Sequence, residues 1–265
     1  MNALGARGGL VAGVDGCPGG WVVVTRTIDD PTTAIIHQVA DFAAVLALPG
    51  LAGVIAVDMP IGLPERGGIG GRPADVEARG RLGARQSSVF SVPARAALME
   101  ADYARACAVA AAHSDPPRRV SKQMFHLFPK IREVDALMTP RLQARVVECH
   151  PELAFWAMAG ERALLLPKKV KSRAHGPGLD ERRDLLARAG YGVAIVGGGD
   201  GVTHGSTHGV RYGAMTGSTP GFGPDDLLDA AANSWTAARI ATGSARRFPA
   251  DPPLDARGLR MEIWA

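Results

Sequence analysis

Residues 10–25 read LVAGVDGCPGGWVVVT, and this stretch decides the fold class. A short apolar run ends at Asp15, a turn rich in glycine follows it, and a second run rich in β-branched residues begins at Trp21. β-branched residues favour strands, whereas glycine and proline favour tight turns. The stretch therefore predicts a β-hairpin with an acidic side chain at the end of its first strand.

The segments after the hairpin predict the rest of a sheet. We expect a third strand over residues 34–39, a helix that Asp41 caps, and a buried fourth strand over residues 54–57. A fifth strand is expected over residues 144–149. An antiparallel three-strand meander followed by parallel strands with helices is typical of a mixed α/β sheet.

Helices and one loop are expected to complete a single domain over residues 10–265. Residues 73–140 predict a helical insertion, in which Pro129 breaks or kinks one helix. The apolar residues at 191–196 favour a strand. Residues 197–223 are dense in Gly, Thr, Ser and His without an apolar period, which predicts a flexible loop before a strong final helix.

Composition argues against several classes of protein. The sequence has no run of about 18 apolar residues, so we expect no transmembrane helix and no membrane partner. The first residues lack the apolar core of a secretory signal, which favours a cytoplasmic protein. The 3 cysteines stand at wide spacings without a CxxC pair, so a zinc ribbon or a disulfide framework is not expected.

Charge and aromatic content limit how nucleic acid is bound. The net charge of +4 permits a nucleic-acid partner without requiring one. Aromatic residues make up only 5% of the chain, which argues against a stacking platform for single-stranded bases. Any contact with nucleic acid is therefore expected to be local.

Acidic residues recur at matching places in several predicted elements. Asp15 and Asp58 end strands, and Glu148 lies near the end of another strand. Asp226 and Asp229 lie three residues apart in the first turns of the final helix, so they share one face. The carboxyl ends of parallel strands meet at one edge of a sheet, where sites in open α/β sheets form. These five residues are the predicted catalytic acids.

Clustered carboxylates predict a divalent cation. They repel one another and resist burial unless cations neutralise them. Mg²⁺ prefers a few carboxylates together with water and phosphate oxygens, and two ions about 3.5–4 Å apart promote phosphodiester cleavage. We therefore expect Mg²⁺ or Mn²⁺ on Asp15, Asp58, Asp226 and Asp229, with DNA or RNA as the substrate.

Four basic residues are candidates for substrate binding. Lys168 and Lys169 belong to a dense basic run that suits a phosphate backbone, although a solvated surface is the ordinary explanation of such a run. Lys130 is a candidate phosphate contact. His150 either contacts the substrate or caps its helix, and a zinc site at His150 and Cys149 is a minor alternative.

Six short motifs run in order through nearly the whole chain. They are GVDGCPGGW at 13–21, DMPIGLP at 58–64, SSVF at 87–90, PKIREVD at 129–135, ECHPE at 148–152 and DDLLDA at 225–230. Together they resemble the predicted ribonuclease H-like nuclease family long labelled domain of unknown function 429. The resemblance implies a ribonuclease H-like fold and, as a prediction, metal-dependent nuclease activity.

The resemblance also implies roles for individual acids. It matches Asp15 to the first-strand acid of the family and Asp58 to the fourth-strand acid. Asp226 and Asp229 match the acids of the closing helix, which is similar to the Asp-x-x-Asp-Ala pattern of Holliday-junction resolvases. Those resolvases usually carry Glu where this chain has Asp58, so the carboxylate here is shorter by one methylene.

Two other functions remain open from the sequence. A nucleotide-binding phosphotransferase of the actin and sugar-kinase type shares this sheet topology, with Gly19 and Gly20 holding phosphates through backbone N–H groups. That class needs a second phosphate loop, and GGGDG at 197–201 is the one candidate. The third hypothesis is a catalytically degenerate domain that binds nucleic acid or a protein partner.

Overall fold

The computed structural model describes residues 8–171, 173–197, 212–215 and 221–265. The strands are β1 (Leu10–Cys17), β2 (Gly20–Thr27), β3 (Ile35–Val39), β4 (Ile55–Val57), β5 (Val146–Glu148), β6 (Lys169–Val170), β7 (Arg173–Ala174), β8 (Tyr212–Met215), β9 (Arg247–Phe248) and β10 (Ile263–Trp264). The helices are α1 (Phe42–Leu46), α2 (Pro73–Leu82), α3 (Arg95–Leu98), α4 (Tyr103–Ala112), α5 (Lys122–Leu137), α6 (Pro151–Met158), α7 (Gly176–Arg188), α8 (Val193–Val196) and α9 (Pro224–Ala241).

A mixed sheet of six strands organises the fold, in the order β5-β4-β1-β2-β3-β8. β1 pairs with β2, and β2 with β3, in antiparallel fashion. β4 and β5 extend the sheet beyond β1 in parallel, and β8 is parallel to β3 at the other edge. The predicted α/β class, with an antiparallel meander and parallel strands, is confirmed.

A tight turn fixes the register of the β1–β2 hairpin. Cys17 pairs with Gly20, so Pro18 and Gly19 alone form the turn. Gly20 has a φ of +115°, and a Cβ at this position would overlap the backbone carbonyl of Val39. A glycine is therefore required where β2 begins. β1 also continues two residues beyond Asp15, which lies inside the strand rather than at its end.

Side chains of the central strands alternate between two hydrophobic layers, as the period of a strand requires. Ala12 and Val14 of β1 pack with Leu98 and Phe128 of the helical segment between β4 and β5. Val11 packs instead in the layer that contains the apolar residues of α9. The two faces of the sheet are therefore covered by different helices, and the face of each strand residue decides which helices it meets.

The helix starts follow the capping residues of the sequence. The Asp41 carboxylate accepts a hydrogen bond from the backbone N–H of Ala44 at 2.7 Å, and the Ser121 hydroxyl accepts one from Met124 at 3.2 Å. Pro129 does not end α5, which runs on to Leu137. Burial of Phe128, Ile131 and Val134 on one face of this helix outweighs the cost of the proline.

Two other expectations need correction or fall outside the described residues. The segment predicted as a strand at 191–196 contains helix α8, and its residues Tyr191 and Ile195, four positions apart, pack into the core. Most of the predicted loop at 197–223 lies outside the described residues, but Tyr212–Met215 within it is strand β8. Within the described part of the chain, no helix is both long enough and apolar enough to cross a membrane.

Candidate acidic site

Strand register places Asp15 and Asp58 next to each other. Val14 pairs with Val57 in the parallel β1–β4 ladder, and the backbone N–H of Asp58 donates to the Val14 carbonyl at 3.0 Å. The next residue along each strand is therefore an aspartate, and the two are neighbours across the ladder. Because side chains alternate, both carboxylates point away from the Val14 layer and towards the face that α9 covers.

Helix α9 brings two more aspartates to this face. Gly13 of β1 has no side chain, and a Cβ there would overlap the backbone of Ala230 and Ser234. The missing side chain lets α9 lie directly on β1, and the Asn233 amide fixes the contact by donating to the Val14 carbonyl at 3.1 Å. The first turns of α9, with Asp226 and Asp229, therefore lie beside Asp15.

Burial raises the pKa of every aspartate in this group, hereafter the acidic site (Asp15, Asp58, Asp226 and Asp229). Burial, followed by the charges of Asp58 and Asp229, holds the pKa of Asp15 well above its ordinary value. Burial raises the pKa of Asp58, against the opposing effects of His150 and Lys168. Burial also raises the pKa of Asp229 to about 7 and that of Asp226 to a smaller extent.

The ammonium of Lys168 lies inside the acidic site. It donates a hydrogen bond to one carboxylate oxygen of Asp229. Burial alone would lower the pKa of Lys168, but the charges of Asp229, Glu152 and Asp15 raise it above its ordinary value. The adjacent Lys169 binds elsewhere, to Asp225 at 2.5 Å. One ammonium is thus shared among several buried carboxylates.

The donor chemistry of the acidic site fits a hard divalent cation. The second carboxylate oxygen of Asp229 is buried without a hydrogen-bond partner in the described part of the chain. Hard oxygen donors of this kind suit Mg²⁺ or Mn²⁺. Among the residues that the structure describes, no three Asp, Glu, His or Cys side chains are close enough to hold one ion. Mg²⁺ commonly takes only one or two carboxylates and completes its shell with water and phosphate oxygens.

Glu148 lies on the other face of the sheet. It pairs with Val57 in the β4–β5 ladder, one position before the row that holds Asp58, so its side chain points in the opposite direction. There it forms a bidentate ion pair with Arg72, with N···O distances of 2.8 and 2.5 Å, and accepts the backbone N–H of Ile61 at 2.7 Å. Burial raises the pKa of Glu148 to about 7 despite Arg72. Glu148 nevertheless lines the same cavity of about 110 Å³ as Asp15 and Asp58.

His150 has both ring nitrogens engaged. Its Nδ1 accepts the backbone N–H of Glu152 at 3.2 Å, so this nitrogen is unprotonated and His150 caps α6. The proton therefore sits on Nε2, which donates to the Ser88 carbonyl at 3.2 Å. The ring also lines the cavity of about 110 Å³ together with Asp15 and Asp58.

Lys130 binds the hairpin rather than the cavity. Its ammonium donates to the Gly20 carbonyl at 2.6 Å and lies 4.3 Å from the centre of the Trp21 ring. Its methylenes cover Gly16, where a Cβ would collide with them. The side chain thus packs over the residue that follows Asp15.

Two buried arginines near the site could not be found from the sequence pattern. Arg72 precedes Pro73 at a helix start, and nothing there indicates its partner Glu148, 76 positions away. Arg182 forms a bidentate pair with Glu152, with N···O distances of 2.6 and 2.7 Å. Each arginine neutralises one glutamate, and Arg72 also binds Asp75; within the described ranges neither guanidinium is bonded to an aspartate of the acidic site.

Comparisons with known proteins place the chain in one family. Searches of curated proteins and of solved structures each gave no significant match. The family described as "Protein of unknown function (DUF429)" matches residues 13–254, a range that contains every candidate residue of the acidic site. Because the match covers most of its length, the chain belongs to the DUF429 family.

Proposed function

We propose that this chain is a divalent-metal-dependent phosphodiesterase that cleaves nucleic acid at the acidic site. One observation carries the proposal: Asp15 and Asp58, neighbours across the β1–β4 ladder, lie close to Asp229 of α9, and the Lys168 ammonium lies among these carboxylates. Such an excess of buried negative charge destabilises a protein unless it is used to bind cations. Phosphodiester cleavage is a reaction that uses this arrangement of acids.

The sheet supports the proposal. Its antiparallel strands β1–β3, with β4 and β5 parallel to β1, have the arrangement that a ribonuclease H-like fold requires. We propose that the fold is of this type. The acids then stand on the first strand, at the end of the fourth strand and on the closing helix, which is where the sequence motifs place them.

Asp15 and Asp58 are the proposed main ligands, because strand register already makes them neighbours. Asp229 and Asp226, both on α9, complete the acidic site. A bound divalent cation would supply an activated water and stabilise the leaving oxygen. Lys168 favours the ionised form of Asp229 against the opposing effect of burial, and its ammonium would be available to a phosphate oxygen if a cation replaced it at Asp229. The fixed His150 ring limits the width of the cavity.

The phosphotransferase alternative has less support. It requires free backbone N–H groups in the β1–β2 turn. The N–H of Gly19 instead donates to the Gly221 carbonyl at 3.2 Å, and Gly20 packs against the backbone of Val39 and Ala40. The second candidate phosphate loop, at 197–201, lies almost entirely outside the described residues. Saturable binding of ATP in calorimetry would favour this alternative over the nuclease.

A cleavage assay tests the proposal. The purified protein is incubated with Mn²⁺ or Mg²⁺ and labelled single-stranded, double-stranded and branched DNA and RNA. We expect cleavage of at least one of these, and a loss of about a hundredfold or more in Asp15→Asn, the usual effect of removing a group that acts on the reacting atoms. Asp184→Asn is the matched control, because Asp184 is exposed on α7. Intact substrates in every reaction, or equal activity of Asp15→Asn and Asp184→Asn, would contradict the proposal.

A further inference from the structure

A second cavity, of about 340 Å³, continues the one that holds the acids. Phe90, Val92 and Met124 line both cavities, so the two adjoin along these side chains. The groove that these adjoining cavities make begins at Asp15, Asp58 and the Arg72–Glu148 ion pair, and it ends at residues 118–121 and at Gly67, Gly68 and Gly71. The volume of the second part is in the range of pockets that bind small molecules or single nucleotides.

The far end of the groove is positively charged. Arg118 and Arg119 line it, and no Asp or Glu does among the described residues. Both arginines are exposed, and within the described ranges neither guanidinium has an ion pair or a hydrogen bond. The hydroxyl of Ser114 accepts the backbone N–H of Arg118 at 2.8 Å, which holds this segment in place. Free guanidinium groups on an anchored segment are suited to bind phosphate oxygens.

The middle of the groove is apolar. Phe90 is half-buried, and Met124 and Val120 lie beneath the surface beside it. A half-buried aromatic ring can stack on the flat face of a nucleobase, irrespective of the identity of the base. The order along the groove is therefore acids, one aromatic ring, and two unpaired arginines.

We propose that this groove, hereafter the arginine groove (Phe90, Arg118, Arg119 and Met124), binds the single polynucleotide strand that flanks the cleaved bond. Phosphates of the flanking nucleotides lie against Arg118 and Arg119, and one base lies on Phe90. This inference rests on the proposed function in one respect, namely that the cleaved bond lies at the acidic site. Strand binding itself needs no catalysis and is measured separately.

Fluorescence anisotropy with a short labelled oligothymidylate, in EDTA, measures this binding. The double variant Arg118→Gln/Arg119→Gln is compared with Arg162→Gln/Arg188→Gln, which removes two exposed arginines from a different cavity beside α7. We expect the first variant to bind about tenfold more weakly or worse at low salt. The slope of log K against log salt should fall by about 1.4, since each lost phosphate contact on a single strand removes about 0.7. The control variant should bind as the unaltered protein does.

A third variant separates the aromatic contact from the charges. Phe90→Leu keeps an apolar side chain of similar volume, so the core beneath it is retained. We expect affinity to fall by about tenfold while the salt slope is unchanged, because stacking releases no counterions. Circular dichroism confirms that each variant is folded.

Several results would overturn the arginine groove. One such result is that the unaltered protein does not bind the oligothymidylate. Another is that the Arg118→Gln/Arg119→Gln variant binds it as tightly as the control variant does. Competition by polyglutamate at an equal charge concentration would show a general polyanion surface instead. The proposed function is checked independently by Mn²⁺-dependent hydrolysis of bis(p-nitrophenyl) phosphate by the unaltered protein. If the unaltered protein binds the strand but does not hydrolyse this substrate, the proposed nuclease activity is refuted, whereas the proposed strand binding in the arginine groove stands.

Discussion

Lys168 donates a hydrogen bond to Asp229, and its charge also lowers the pKa of Asp15 and Asp58 on the neighbouring strands. The Lys168 ammonium thus partly neutralises the carboxylates of the metal-free acidic site, as a divalent cation would in the proposed active state. Lysine and metal compete for the same carboxylate oxygens in this scheme. The competition makes the lysine a sensitive probe of the site.

Lys168→Met should therefore weaken the metal-free protein and increase its response to metal. Removing the cation from a buried ion pair costs about 3–5 kcal/mol of unfolding free energy. Bound Mn²⁺ stabilises the folded state by mass action, and more so without a competing ammonium. Thermal unfolding with and without Mn²⁺ measures both effects, with Lys171→Met as the control because Lys171 is exposed. An equal rise of Tm with Mn²⁺ in the lysine variant and the unaltered protein would contradict the competition.

The metal-free protein should lose stability as pH rises from about 4 to about 7. Burial raises the pKa of Asp229 from 3.8 to about 7 in the folded protein. The folded state then binds more protons than the unfolded state between these values, so unfolding free energy falls with pH across this window. The cost is complete above pH 7 and amounts to roughly 2–4 kcal/mol for this residue.

Urea denaturation of the metal-free protein at pH 5 and pH 8 checks this pH dependence. Asp229→Asn cannot ionise, so it should show a smaller fall in stability between the two pH values. Mn²⁺ should remove most of the difference in the unaltered protein. If unfolding free energy falls more steeply with pH in Asp229→Asn than in the unaltered protein, ionisation of Asp229 does not destabilise the folded state.

Arg72 should be essential for stability because it neutralises Glu148 and Asp75 in the interior. Arg72→Met leaves both carboxylates buried without a cation, at a cost of about 3–5 kcal/mol. Adding Glu148→Gln removes one of the unpaired charges and should restore part of the loss. A double-mutant cycle from chemical denaturation gives the coupling energy of the pair. Additive effects of the two substitutions would contradict the ion pair.

Gly13→Ala should disrupt the contact between β1 and α9. The added methyl group would overlap the backbone of Ala230 and Ser234, which cannot move without shifting the helix. We expect a loss of more than about 4 kcal/mol or failure to fold. Gly80→Ala is the matched control, because Gly80 lies in α2 with open space around it and should gain about 0.5–1 kcal/mol in helix propensity. Similar stability of the two variants would show that α9 does not rest on Gly13.

The sequence was sufficient to predict the central hairpin and the mixed sheet, and strand register makes Asp15 and Asp58 neighbours. The hairpin and the sheet depend on local signals, namely turn residues, strand ends and helix caps. The direction of the Glu148 side chain, opposite to that of Asp58 although both line one cavity, depends on strand register, which the sequence does not show.

Other features depend on contacts between distant parts of the chain. The partnership of Arg72 with Glu148 carries no local pattern. Lys168 appeared as one member of a basic run that suits a solvated surface, whereas the fold buries its ammonium among acids. Pro129 shows the same limit, since core packing of α5 overrides a local signal for a helix end.

The location of Mn²⁺ in crystals tests the central claim most directly. Crystals grown without metal are soaked in Mn²⁺, and anomalous differences locate the ion. We predict a peak coordinated by Asp15 and Asp58 and bordered by Asp226 or Asp229, with the hydrogen bond between Lys168 and Asp229 broken. No peak at the acidic site, with that hydrogen bond intact at saturating Mn²⁺, would contradict a metal-dependent phosphodiesterase.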